Sequence, residues 1–245
     1  MKKFYFIFFV YFHFIALSNT IGFEKNIGQI KNQFNHTNTS ILYGLRLNGF
    51  QVNLKNDGFQ YDFYEKSNDK INTHRLEFIF KDYNTDFTIE NSNELTYYET
   101  SYLDGKENNV SFFQKITYKN FYQNIDLEFY VNNHDSKPFE YNFILHPGAD
   151  INHIQFEIKG AKAKLNGNQL KFNLRFGELV ESLPKSWIEA TNNIEIDVEY
   201  CYHTNGNIGL QTDRYISNKK IVIDPLPIRK WGSYLSKYFF NGYPS

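Results

Sequence analysis

Between residues 118 and 176 the chain alternates apolar and polar side chains in one short run after another, with almost no helical periodicity between them. Ile125, Leu127, Phe129 and Val131 alternate with Asp126, Glu128 and Tyr130; Phe139, Tyr141, Phe143 and Leu145 alternate with Glu140, Asn142 and Ile144. Ile154, Phe156 and Ile158, then Leu170, Phe172, Leu174 and Phe176, repeat the pattern. A period of two puts one residue type on each face, so these segments are predicted to be half-buried antiparallel strands. Leu127, Phe129, Phe143, Phe156 and Phe172 are expected inside, and Asp126, Glu128, Gln155, Glu157 and Lys171 are expected to face solvent or a loop.

The same reading extends to both sides. Phe50–Leu54 and Phe59–Phe63 are alternating runs joined through Asn56-Asp57-Gly58, residues that tolerate the backbone of a tight hairpin turn. Leu76–Phe80, Ile116–Phe121 and Ile194–Tyr202 are further strands, and Ile221–Asp224 is expected to end a strand against Pro225. Turn chemistry separates these runs at Asn132–Asp135, Pro147-Gly148, Asn166-Gly167-Asn168 and Asn205-Gly206-Asn207. Many short strands at close spacing predict an all-β chain of antiparallel β-sandwich type, in two packed β subdomains with little helix. The polar stretch from Thr85 to Asn109 is the expected boundary. The predicted organisation is a signal peptide over 1–18, a first β subdomain over 19–110, a second over 111–228, and a tail or following repeat over 229–245.

The N-terminus adds a compartment. Lys2 and Lys3 precede an apolar run from Phe4 to Leu17, and Ala16-Leu17-Ser18 offers small residues for a signal peptidase. That run is shorter than the ~20 residues a spanning helix needs, and no later segment approaches that length, so no membrane span is expected after cleavage. A formal net charge of −1 gives no electrostatic case for nucleic acid. The single cysteine, Cys201, excludes an internal disulfide framework. Stability must then rest on an apolar core, for which 25 Phe and 19 Tyr are well suited.

Several segments in order resemble an N-terminal all-β domain of unknown function that precedes β-propeller-type repeats in secreted surface proteins of Bacteroidetes-like bacteria. Phe23-Glu24-Lys25-Asn26-Ile27-Gly28-Gln29 is similar to that family's opening element, and the run Tyr118 to Tyr130 to its central signature. Glu140–Phe143, Pro147–Asp150, Gly160-Ala161, Gly177–Leu179 before Pro184, and Ile223-Asp224-Pro225 before Trp231 follow in the same order. Trp231 to Leu235 resembles the start of a first repeat. The resemblance implies export and a modular setting beside other domains, and implies no catalytic activity.

Candidate chemistry is sparse. Asp126/Glu128 and Glu178/Glu181 have the residue types of a glycosidase pair, although Asp126 and Glu128 sit where a polar strand face needs charges anyway. His146 and His153 flank Asp150, but a zinc site wants a third ligand at closer spacing. Cys201 reads as an inert thiol rather than a nucleophile. Trp187 and Trp231 are candidates for stacking on sugar rings, with core packing as the plainer role for Trp187. No catalytic, cofactor-binding or metal residue is assigned. The expected function is a non-enzymatic structural or adhesive module, with a carbohydrate-binding module and then a polysaccharide hydrolase as alternatives.

Overall fold

A computed structural model of the chain describes residues 21–67, 70–132, 138–214 and 218–230. The expected signal segment, much of the Asn132–Asp135 turn, and Trp231 with the rest of the tail lie outside them. The described residues are nearly all strand. The first half holds β1 (Phe23–Lys25), β2 (Ile41–Leu47), β3 (Phe50–Lys55), β4 (Gly58–Ser67), β5 (Lys70–Phe80), β6 (Thr88–Leu103) and β7 (Lys106–Tyr122). Then come β8 (Ile125–Val131), β9 (Phe139–Leu145), β10 (Gln155–Lys159), β11 (Ala163–Asn166) and β12 (Gln169–Leu174). The last are β13 (Gly177–Ile188), β14 (Ile194–Ile196), β15 (Glu199–Tyr202), β16 (Ile208–Gln211) and β17 (Ile221–Lys230). One 3₁₀ turn, Ile151–His153, is the only helical element among the described residues.

Every strand pairing is antiparallel, and the layers face each other in a sandwich-like arrangement that does not close into a barrel. The strands β5, β4, β3, β2 and β1 follow one another by hydrogen bonding, and β1 also pairs with β7. From β7 the ladder continues through β8, β9, β17 and β13 to β12 and β11. The strand β10 joins β5 to β16 and so to β15.

The alternation predicted from sequence is what fills the space between layers. Phe59 stacks on Phe78 at 4.7 Å and meets Phe129 at 5.7 Å and Tyr141 at 5.0 Å on the facing strands. Phe80 reaches Phe143 at 5.7 Å, and Phe78 reaches Phe172 at 5.8 Å. Leu127, Phe129, Phe143, Phe156 and Phe172 are all buried, as expected. Edge-to-face and offset ring pairs of this kind add to the area they bury. At Gly160, φ is +95° and an added Cβ would lie 1.9 Å from the Arg75 carbonyl oxygen, so the β10–β11 connection admits only glycine.

Four expectations change. Position 110, the expected division, lies inside β7, and the polar stretch before it is a long hairpin turning at Asp104-Gly105. Ile194–Tyr202 is not one strand: β14 pairs with β13 and β15 with β16, with the break at Asp197-Val198. The strand expected to stop at Pro225 runs on through Pro227 to Lys230. Prolines are tolerated there because β9 accompanies β17 only over Ile221–Ile223, and Pro225 faces the register irregularity between Ser182 and Lys185. Asp126 is buried rather than outward-facing; Glu128, Gln155, Glu157 and Lys171 remain partly exposed.

Candidate functional site: a polar cleft

On the first half of the chain a polar cleft of about 590 Å³ opens beside β1 to β5. That size falls within the range of small-ligand sites. Its floor comes from the wet faces of β3, β4 and β5. There Gln51 donates to Asn53 Oδ1 at 2.7 Å, and Asn53 donates to Asp62 Oδ2 at 3.0 Å. Arg75 holds the same carboxylate with Nε to Oδ1 at 2.6 Å and Nη2 to Oδ2 at 3.1 Å. Alternation delivers this row: Gln51 and Asn53 point away from Val52 and Leu54, which are fully buried on the other face.

One wall is made by β1, β2 and the β6–β7 hairpin. Arg46 donates to Glu24 Oε2 through Nε at 3.0 Å and Nη2 at 2.5 Å, and reaches Glu99 Oε2 at 3.3 Å. Thr100, Ser101 and Val110 continue that wall. The loop from Gln29 to Asn38 supplies another part of the lining. Asn26 pins it, donating to the carbonyls of Asn38 at 2.9 Å and Ile41 at 2.7 Å while its own Oδ1 accepts from Gly28 N at 2.9 Å. Gln29 donates to Glu24 Oε1 at 2.9 Å and to the Lys25 carbonyl at 2.8 Å. The segment Phe23–Gln29, the opening element of the sequence resemblance, therefore builds the cleft: Phe23 anchors it in the core, Glu24 pairs with Arg46, and Asn26 and Gln29 shape the loop. No single residue here carries a chemical signal in the sequence. The cleft is assembled from ordinary polar residues spread over about ninety positions, and that opening element is its one local trace.

The lining is electrically balanced. Lys31, Arg46 and Arg75 face Glu24, Asp62 and Glu99, and each of these carboxylates is already paired with an arginine. Lys31 donates to the Thr37 hydroxyl at 2.9 Å. The arrangement offers fixed amide, guanidinium and hydroxyl groups for recognition, with no carboxyl held unpaired as a base.

The sequence candidates fall elsewhere. Asp126 organises the β7–β8 turn: it pairs with Lys119, accepts from Asn120 N at 2.8 Å, and meets His146 Nε2 at 2.8 Å. Burial alone would push its carboxyl up, but Lys119, the Asn120 N–H and His146 together hold it below the ordinary value. Glu128 is paired with Lys115 at 2.5 Å. Glu178 and Glu181, three apart on a strand, lie on opposite faces of β13 and so do not form a pair. Glu181 is instead fully buried, its Oε1 accepting from the hydroxyls of Tyr141 at 2.7 Å and Tyr200 at 2.8 Å. Asp150 caps the 3₁₀ turn by accepting from Asn152 N at 2.9 Å, which separates it from the work of a His146/His153 ligand set. Cys201 lies opposite Gly209, and burial raises its thiol above the ordinary value, which favours the unreactive form. Trp187 is half-buried between Glu195 and Val222 and does not line the cleft. Trp231 falls outside the described residues.

The family model described as "Domain of unknown function (DUF7948)" matches residues 23–226. No curated protein and no solved structure matches the chain.

Proposed function

The chain belongs to the DUF7948 family of domains of unknown function, and we propose that it is a non-enzymatic module of a secreted bacterial surface protein, acting by adhesion. The observation that carries this reading is the cleft, whose carboxylates are all engaged by arginines and whose exposed groups are suited to holding a ligand rather than transforming one. Export is supported by Lys2-Lys3, the apolar run to Leu17 and the small residues up to Ser18. A modular setting, with propeller-type repeats beginning near Trp231 and a Bacteroidetes-like host, is supported by the ordered resemblance of Phe23–Leu235.

Two measurements test the proposal. N-terminal sequencing of the exported chain should find Asn19 first; a retained Phe4–Leu17 segment would overturn the export reading. The exported chain should also adhere to polysaccharide-coated or cell-coated surfaces without releasing reducing ends. Release of product, abolished by Glu178→Gln, would replace the adhesive reading with a hydrolase, and failure to adhere to any such surface would remove it.

A further inference from the structure

The geometry of the cleft points to a neutral oligosaccharide as its ligand, gripped between the Gln29–Asn38 loop and the β6–β7 hairpin; this rests on the adhesive reading above. Three observations lead there. The formal charges of the lining cancel, and both arginine forks are already occupied by Glu24, Glu99 and Asp62. An anionic ligand reaching the paired Nε and Nη2 atoms would have to displace a carboxylate, which leaves Lys31, bonded to the Thr37 hydroxyl, as the lining cation outside those pairs; an uncharged ligand leaves every pair intact. Apolar lining is confined to Ile30, Ile41 and Val110, too little to hold the side chains of an extended peptide.

The polar groups that remain match hydroxyls. A sugar hydroxyl donates and accepts at once, so it can bridge a side-chain carbonyl and an N–H in one step. Arg46 and Arg75 each keep Nη1 free of hydrogen bonds to the described residues, and Gln51 keeps Oε1. These groups are pre-positioned by the hydrogen bonds of Asn53, Asp62 and Glu24, so little ordering remains to be done on binding.

Two exposed aromatic rings lie beside lining residues along the chain, though neither is part of the lining itself. Phe34 is 70% exposed on the loop, directly after the lining residues Asn32 and Gln33. The loop tip that carries it is fixed by Asn32 Oδ1, which accepts from Phe34 N at 2.9 Å and His36 N at 3.1 Å. Tyr97, on β6 two residues before Glu99, is 42% exposed and braced by Phe112 at 4.9 Å. An exposed large ring held in place is the surface on which the C–H face of a sugar stacks. Trp187, expected from sequence to take that part, stands outside this arrangement.

The test titrates the full chain with neutral hexasaccharides of the cello, manno and N-acetylchito series, alongside oligogalacturonate and inorganic phosphate. Calorimetry reads affinity, and ligand-observed saturation-transfer NMR reads which protons touch the protein. At least one neutral series should bind. Tyr97→Ala and Phe34→Ala, both surface changes, should each weaken it roughly tenfold, the scale expected for a stacked ring worth ~1.4 kcal/mol. Arg46→Ala should abolish binding; because it also strips Glu24 of its partner, the two ring variants keep the test decisive if Arg46→Ala fails to fold. Binding of oligogalacturonate or phosphate in place of the neutral series would overturn the ligand class while leaving adhesion standing. Adhesion to surfaces that survives Tyr97→Ala and Phe34→Ala unchanged would overturn the cleft as its seat. Loss of adhesion in the unaltered chain would strike the underlying reading itself.

Discussion

Glu181 shows how a single side chain can set the pH behaviour of the fold. Its carboxyl is pushed up to about 7, chiefly by burial, with the hydroxyls of Tyr141 and Tyr200 working in the opposite direction. Its Oε2, the Tyr61 hydroxyl and the Ser186 hydroxyl have no hydrogen-bond partner among the described residues, so nothing there compensates a charge. The folded value lies above the ordinary 4.5, so the native state holds this proton more tightly than the unfolded chain does. The contribution is therefore fully present below about pH 4.5, declines as pH rises towards about 7, and stays lost above it. The shift corresponds to roughly 3 kcal/mol. Glu181→Gln keeps an acceptor for both tyrosines and cannot ionise, so urea unfolding should show it more stable than the parent at pH 8 and similar near pH 4.5. An unchanged pH profile in the variant would mean that Glu181 binds its proton no more tightly in the native state than in the unfolded chain, and so is not shifted by burial. Core packing gives a second residue-scale contrast. Phe143 is buried against Phe80 and Tyr141, and its replacement by Ala should cost ~3–5 kcal/mol. Glu157, paired with Lys81 at the surface, should be nearly silent when changed to Ala. Similar losses from the two would mean the β9 and β10 faces are assigned the wrong way round.

Among the elements, legibility follows how many faces are buried. The strands β3, β4, β8, β9 and β12 each have one dry face, so their alternation is readable in the amino-acid sequence alone. The first four residues of β7 and nearly all of β6 lie open on both faces, which erases the alternation and makes a hairpin resemble a linker. Pro225 misleads for another reason: a local rule against proline in ladders yields at a strand edge, and which edge is free is decided by pairings far away in sequence. The cleft is illegible because its residues gain meaning only from contacts such as Arg46–Glu99, which join positions more than fifty apart. A direct consequence concerns the outer half of the hairpin. On the edge of β7 away from β6, β1 pairs only with Phe112 and Phe113, and β8 from Lys115 onward. Residues Thr100–Asn109 therefore stand clear of the core and contribute wall rather than stability. Replacing Thr100–Asn109 with Asn-Gly, joining Glu99 to Val110, should leave the thermal midpoint almost unmoved while weakening ligand capture. A large drop in midpoint would show that the hairpin tip is packed into the fold.

For the whole molecule, the decisive feature is that the chain's late strand completes sheets begun much earlier. The strand β17 inserts between β9 and β13 over Ile221–Ile223 and then continues along β13 alone, setting Leu226–Lys230 against Ser182–Glu178. The family match ends at residue 226, so the last four of those positions, Pro227–Lys230, extend the ladder past the matched segment. Folding therefore waits on a contact between residues about forty positions apart, and the loop-closure cost must be met before the apolar faces of β13 and β9 are covered. Two truncations separate ladder from tail. Ending the chain after Lys230 keeps every pairing of β17, and the cooperative unfolding transition should persist with its midpoint nearly unchanged. Ending it after Asp224 removes the pairings of Leu226, Pro227, Ile228, Arg229 and Lys230, leaving the Glu178–Ser182 edge of β13 open beside the buried Leu179, Val180 and Glu181. That shorter chain should lose several kcal/mol of a stability that is only ~5–15 kcal/mol in typical domains, and the newly bared edge should promote association. Circular dichroism melts of the two, at several protein concentrations, separate these effects. If truncation after Lys230 is as damaging as truncation after Asp224, the segment beginning at Trp231 is an integral part of the sandwich and not the opening of a following repeat.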